Sequence, residues 1–385
     1  MIAGFASKVH RKFDGSAFEL MAETVDQALE MAGIIPGEID GLVTTFLPGV
    51  FDGNTYLHFF TNQVRQYLGL RARYIDMLDF GGASALSMIY RAQKAISAGE
   101  ASSVICIIGG KASEVKALGT TVDSMDKVYD HISITPFDWI YRIYDSLNPV
   151  SDYALVAARH AKLYGTDDTV RAKLAVQQRF NGKGNDKAMY RDDLTVKDVL
   201  ASPVISSPLH LLEIVYPVDG FHAFVVSSKH TSLRDLEIKA YGEAHWAEMP
   251  PELPDITITP AKDSSRVAAF DLERVDAFEL YDSFTTTVLL QLEDIGLVQK
   301  GQVAKFIEEH DLRYTGDIPL NTGGGSLNCG QPAYMSGGVI LEEALLQLND
   351  MAKGHQVKGV NNVFINGIGG WSRSHSVSLV LGERN

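Results

Sequence analysis

The chain has 385 residues, 45% apolar and 21% charged, with a formal net charge of −14. That composition provides a sizeable core, and the acidic balance excludes a general nucleic-acid binder, which needs a basic surface. No apolar run approaches the roughly 20 residues of a membrane helix, the N-terminus lacks the apolar core of a secretory signal, and two cysteines, Cys106 and Cys329, exclude a disulfide framework or a cysteine-based zinc site, so a cytoplasmic location is expected.

The run SAFELMAETVDQALEMA (16–32) predicts a helix, with Phe18, Leu20, Met21, Val25, Ala28, Leu29 and Ala32 on one apolar face and Gly33 and Pro36 at its end. IDGLVTTF (39–46) predicts a strand. Residues 74–82 run from an apolar stretch into Gly81-Gly82, and ASALSMIYRAQKAISAGE (83–100) predicts the helix that follows. ASSVICIIGG (101–110) predicts a buried strand ended by glycines.

Residues 112–150 break this rhythm, and they are expected to form an excursion that covers a site or a subunit interface. Helix resumes at 151–182, 183–210 is irregular, and 221–228 predicts a strand. DAFELYDSFTTTVLLQLEDIG (276–296) predicts a helix with a loop-like start. PLNTGGGSLNCGQPAYMSGGVILEEALLQL (319–348) is a glycine turn feeding a helix. NNVFINGIGG (361–370) and HSVSLVL (375–381) predict the last two strands. Each half thus carries a glycine-rich turn at a helix start, then a strand ending in Gly-Gly. This points to an internal duplication and a layered α/β/α/β/α sandwich.

Five segments in order carry a resemblance. They are AGIIPGEIDGLV (32–43), RDDLTVKDVLASPVISSPLHLLEIVYPVDGFHAFVVSS (191–228), LYDSFTTTVLLQLEDIG (280–296), LNTGGGSLNCGQP (320–332) and INGIGGWSRSH (365–375). Together they resemble the thiolase superfamily, most of all its sterol-carrier-protein-type members, over nearly the whole chain. The resemblance implies the thiolase-like duplicated five-layer α/β/α/β/α sandwich. Its N-terminal half is expected at 1–235, with the excursion at about 112–150, and its C-terminal half at 236–385.

The family's chemistry needs a cysteine in a C-A-S-G turn at a helix N-terminus, where the dipole and backbone N–H groups favour a thiolate. Matching that turn to DFGGASAL puts Asp79 at the cysteine position. The histidine of the family's G-H-P loop matches Gln331, which cannot act as a general base. The second cysteine matches Gly367, and the Asn or His of the NEAF/HDCF loop matches Tyr281. The Y-D-x-F-T loop and the Gly-Gly turn resemble a branch of the superfamily, the steroid side-chain aldolases. That branch carries a second tyrosine near the former histidine, and here Tyr334 lies three residues beyond Gln331.

The resemblance therefore implies catalytic roles for Tyr281, Asp79, Gln331, His375 and Tyr334. Asp79 is either a general acid–base or a helix cap, and His375 is either a base or structural. Backbone N–H groups at Gly81, Gly82, Gly369 and Gly370 are expected to form an oxyanion site. The expected reaction is retro-aldol cleavage of a β-hydroxyacyl-CoA to a short acyl-CoA and a ketone or aldehyde. Two alternatives are a thiolase-type acyltransferase subunit acting on a β-ketoacyl-CoA and a catalytically degenerate scaffold subunit. No cofactor or metal is expected beyond coenzyme A as part of the substrate. Implied partners are a second copy in a homodimer and a DUF35-type zinc-ribbon/OB-fold protein, the only expected carrier of zinc.

Overall fold

Ser16 and Glu19 close a capping box at the head of α1 (Ala17–Ala32), each accepting the other's backbone N–H, and Gly33 ends the helix in the left-handed conformation at φ 63°. The predicted apolar face is the one buried, against β1 (Ile2–His10). The computed structural model describes residues 2–47, 59–116, 149–229, 232–246, 255–333, 337–370 and 373–384. Most of the predicted excursion at 112–150 lies outside the described residues, apart from its two ends.

The first sheet holds β1, β2 (Gly41–Thr44), β3 (Tyr74–Met77), β4 (Ser103–Lys111) and β5 (Pro217–Ser227) in the order β1-β5-β4-β2-β3. Two residues, Gln331 and Pro332, add a short parallel pairing to β5. The second sheet holds β6 (Leu236–His245), β7 (Ala277–Leu280), β8 (Asn362–Gly369) and β9 (His375–Glu383) in the order β6-β9-β8-β7. A parallel bridge from Phe278 to Leu320 extends it where a fifth strand would lie. Strand directions repeat as well. The first two pairings of each sheet are antiparallel and the next is parallel. The duplication expected from the glycine turns is therefore a duplication of topology.

Two helices fill the space between the sheets. α2 (Ser84–Ser97) packs on β4 and also on β8 and β9. α5 (Gly337–Leu348) packs on β7, β8 and β5. Their buried Leu86, Ile89, Ile340 and Leu341 join side chains of both sheets, such as Val104 and Phe224, Val363 and Leu379, in one core. Each such side chain contributes about 1.5–3 kcal/mol by burial. α1 covers the outer face of the first sheet, and helix Ala261–Ala268 covers the second. The same device seats both outer helices. A Cβ on Gly4 of β1 would lie 2.4 Å from the Ala28 carbonyl, and one on Gly242 of β6 would lie 1.9 Å from that of Ser264.

The structure differs from the sequence expectations at several elements. β1 and β6 were not predicted, and the loop-like start at 276–284 is a strand, β7, followed by α4 (Thr285–Asp294). The helix at 151–182 is two, Pro149–Tyr164 and α3 (Asp168–Gly184), with Asp167 capping the second. Among the described residues no helix is long and apolar enough to cross a membrane.

Candidate active site

β7 runs parallel to β8 and delivers Tyr281 at its end. The Tyr281 backbone is fixed on both sides: its N–H donates to the Asn366 carbonyl at 2.9 Å, and its carbonyl accepts from Gln291 Nε2 at 2.6 Å. Asn366 Nδ2 in turn donates to Gln291 Oε1 at 2.8 Å. The side chain is 6% exposed.

Its ring lies on the glycine turn that opens α2. A Cβ on Gly82 would fall 1.9 Å from Tyr281 Cε2 and 2.5 Å from the Ile368 carbonyl. The other glycines meet at the same crossing. Gly81 adopts φ 52°, and a Cβ on it would fall 2.9 Å from Gly370 N. On Gly369 the added atom would fall 1.8 Å from the Phe80 carbonyl and 2.7 Å from Gly82 N. Two backbone segments cross here at a distance that side chains would prevent. Gly337, the first residue of α5, lies against the Gly82 carbonyl from the other side. The N-termini of α2 and α5 thus converge beside Tyr281, and both helix dipoles favour negative charge there.

The next residue, Asp282, ties this turn to the 320–332 loop. It is fully buried and accepts from Ser326 N at 2.8 Å, Leu327 N at 3.0 Å and Gln178 Nε2 at 3.0 Å. Burial pushes its carboxyl up to about 6, although these donors favour the charged form. The folded chain holds this proton more tightly than the unfolded chain. The resulting stability is full below the ordinary value of 3.8 and is lost as pH rises through about 6, a change of about 3 kcal/mol. Asp282→Asn is expected to flatten that part of the stability curve in urea unfolding between about pH 4 and pH 7.5. An unchanged slope would return the carboxyl to its ordinary range.

The four glycines and Tyr281 are therefore brought together. Asp79 is not. It is exposed, and neither Phe80 nor Ala83 at the helix start has a side-chain cap, while Ser84 Oγ accepts from Phe80 N at 2.9 Å. In the C-A-S-G comparison, the residue before Ala83-Ser84 that faces Tyr281 is Gly82. A side chain on Gly82 would fall in the volume that the phenol ring fills.

Gln331 is 5% exposed, donates its N–H to the Tyr216 carbonyl at 2.9 Å and leaves Oε1 buried without a partner. Its described contacts are with the start of β5 and not with Tyr281. His375 pairs with Gly369 in the ladder, and its Nδ1 lies 2.8 Å from His245 Nδ1. His245 Nε2 meets Glu243 at 2.8 Å, and Phe80 packs on both imidazoles with centroids at 4.7 and 5.3 Å. This Glu–His–His chain braces Phe80, one residue before the turn. Tyr334 lies outside the described residues. Cys106 and Cys329 are both buried, and burial pushes both thiols up, away from the thiolate form that reacts.

Sequence reasoning missed Asp282 as the latch, and Gly337 and Phe80 as walls. It also missed Arg373, which is 2% exposed at φ 63°, donates to Asp152 at 2.7 Å and lies 4.9 Å over the Tyr153 ring. Its one available signal was a lone arginine in an otherwise uncharged turn.

The geometry can be compared with known proteins. The thiolase C-terminal domain-like family matches residues 242–383. A steroid side-chain-cleaving aldolase of Thermomonospora curvata is 29% identical, over 87% of this chain and 86% of its own length. A solved Ltp2–ChsH2(DUF35) aldolase superposes with a TM-score of 0.83 at 25% identity, covering 99% of this chain and 97% of that one. The chain resembles thiolase-superfamily proteins over nearly its whole length. It is also similar to the 17-hydroxy-3-oxo-4-pregnene-20-carboxyl-CoA lyase of Mycobacterium tuberculosis, at 27% identity over 94% of this chain and 95% of that protein. The chain has the thiolase-like duplicated five-layer fold, with the Tyr281 ring seated on the glycine turn that opens α2.

Proposed function

We propose that the chain cleaves the Cα–Cβ bond of a β-hydroxyacyl-CoA by a retro-aldol reaction. The Tyr281 oxygen, acting as general base, takes the β-hydroxyl proton. The hydroxyl oxygen becomes a carbonyl, the Cα–Cβ pair moves onto the thioester as an enolate, and a proton returned to Cα gives the shorter acyl-CoA. Backbone N–H groups at Gly82 and Gly370, with the two helix N-termini, stabilise the enolate oxygen. The observation that carries this reading is the phenol ring seated on Gly82, beside the N-termini of α2 and α5.

The two similar proteins named for steroid side-chain cleavage support a steroid acyl group. The test is incubation with a steroid side-chain β-hydroxyacyl-CoA and mass detection of both fragments. Because the superposed aldolase includes a DUF35 protein, the chain is assayed alone and with a DUF35-type subunit, the proposed carrier of zinc. Absence of both fragments in the complex would end the lyase reading. The acyltransferase alternative, cleavage of a β-ketoacyl-CoA by unusual chemistry, predicts CoA-dependent cleavage and an acyl-enzyme adduct under thioester load, and the two buried thiols are poorly placed to carry that adduct. We also infer a homodimer through β3, an edge strand with Ile75 and Met77 exposed at 41% and 43%. A monomer mass in light scattering would remove that inference.

A further inference from the structure

Tyr281 is held by a closed ring of hydrogen bonds. Its N–H donates to the Asn366 carbonyl, the Asn366 side chain donates to Gln291 Oε1, and Gln291 Nε2 returns to the Tyr281 carbonyl. Gln291 Nε2 also donates to the Thr287 carbonyl at 2.9 Å. Gln291 on α4 and Asn366 on β8 are both fully buried.

The ring continues outward as a chain. Asn366 Oδ1 accepts from Ser378 Oγ at 2.7 Å and from Ser376 Oγ at 3.1 Å, both on β9. Ser264 Oγ of helix Ala261–Ala268 lies 2.8 Å from the first of these hydroxyls and 2.9 Å from the second. All three serines are fully buried.

The polarity of this chain has one solution. The carbonyls of Tyr281 and Thr287 only accept, so Gln291 turns its N–H groups to them and leaves Oε1 to accept. Asn366 then gives Nδ2 to Gln291 and presents Oδ1 to the two serines of β9, which both donate. Reversing either amide would set two acceptors against each other. Buried polar groups cost stability unless each is satisfied, and a fully satisfied network enforces one arrangement of its members. What this one fixes is the peptide of Tyr281, whose ring sits on Gly82. An error of about an ångström in the place of the phenol oxygen costs about a hundredfold in rate.

We infer that Gln291 is a positioning residue for proton transfer by Tyr281, oriented by Asn366 and the serines of β9. The role rests on the proposed lyase reading.

The test is Gln291→Met, which keeps the length of the side chain and removes its donors, made with and without Tyr281→Phe. In the single variant, kcat for a β-hydroxyacyl-CoA is expected to fall at least about tenfold at unchanged KM. In the Tyr281→Phe background the same substitution should change kcat by less than about twofold, because no phenol oxygen is left to misplace. Thermal unfolding should show the same loss in both backgrounds. Equal factors in kcat in the two backgrounds, or no fall in the single variant, overturns the inference.

A second readout needs no turnover. In a chain labelled with 3-fluorotyrosine, the Tyr281 fluorine resonance is identified by its loss in Tyr281→Phe. It should shift or broaden in Gln291→Met, and an unmoved resonance overturns the inference. If neither the chain nor its complex with a DUF35-type subunit cleaves the substrate, the lyase reading fails, and the fluorine resonance alone decides whether Gln291 holds the ring. If Gln291→Met does not fold, Gln291→Glu is read by the same two measurements, its carboxyl kept neutral by burial and supplying one donor in place of two.

Discussion

Replacing Tyr281 by phenylalanine is expected to lower turnover of a β-hydroxyacyl-CoA by about 10²–10⁴-fold, the usual contribution of a positioned acid or base. The ring keeps its seat on Gly82, and its backbone keeps the bonds to Asn366 and Gln291, because the substitution removes one oxygen. Substrate affinity and fold should therefore change little, with stability down by about 0.5–1.5 kcal/mol for one lost hydrogen bond. The measurement is kcat and KM with the melting temperature beside them. A fall in kcat at constant KM identifies a group acting in the transition state. Retained kcat would reduce Tyr281 to packing and remove it as the base.

Gly82→Ala is expected to impair stability and activity together. The new methyl would sit 1.9 Å from Tyr281 Cε2 and 2.5 Å from the Ile368 carbonyl, closer than carbon atoms approach. The ring cannot step aside freely, because the chain beneath it is tied at both N–H and carbonyl. Overpacking of this kind costs about 1–3 kcal/mol. A phenol displaced by an ångström loses much of its reach, so turnover should fall about a hundredfold. Cutting Tyr281 to alanine makes room for the methyl, and the stability penalty of Gly82→Ala should shrink in that background. Urea unfolding of the two single variants and the double variant measures this coupling, expected at about 1 kcal/mol or more. Strict additivity would deny the contact on which the site rests.

Much of this fold was legible because it is written twice. The helix at 16–32 carries its cap, its face and its terminator in consecutive residues, and the Gly-Gly turns recur at equivalent places in both halves. β1 was not legible because its alternation is weak: its first four residues are all buried under α1, and the rest are half-exposed. β7 was hidden because it is only four residues long and a four-residue link, Tyr281-Asp282-Ser283-Phe284, leads straight into α4.

The site divided in the same way. The meeting of the four glycines has a local signal, because close backbone approach requires glycine. The structure leaves Asp79 exposed, outside the buried crossing, and a Gly-Gly turn in the sequence does not fix which neighbouring residue faces that crossing. The Asp282 latch depends on a partner 44 residues away, Ser326, and no local pattern announces such a pair.

The crossing of Gly81-Gly82 with Gly369-Gly370 also sets when the protein can begin to work. One wall of the pocket is synthesised early, and the other emerges only with the last two strands. A nascent or truncated chain can have a finished first sheet and still have no pocket at all. Partial synthesis is therefore expected to yield inert protein with no weakly active or promiscuous form. The Tyr281 ring reaches its seat on Gly82 only after distant parts of the polypeptide have come together.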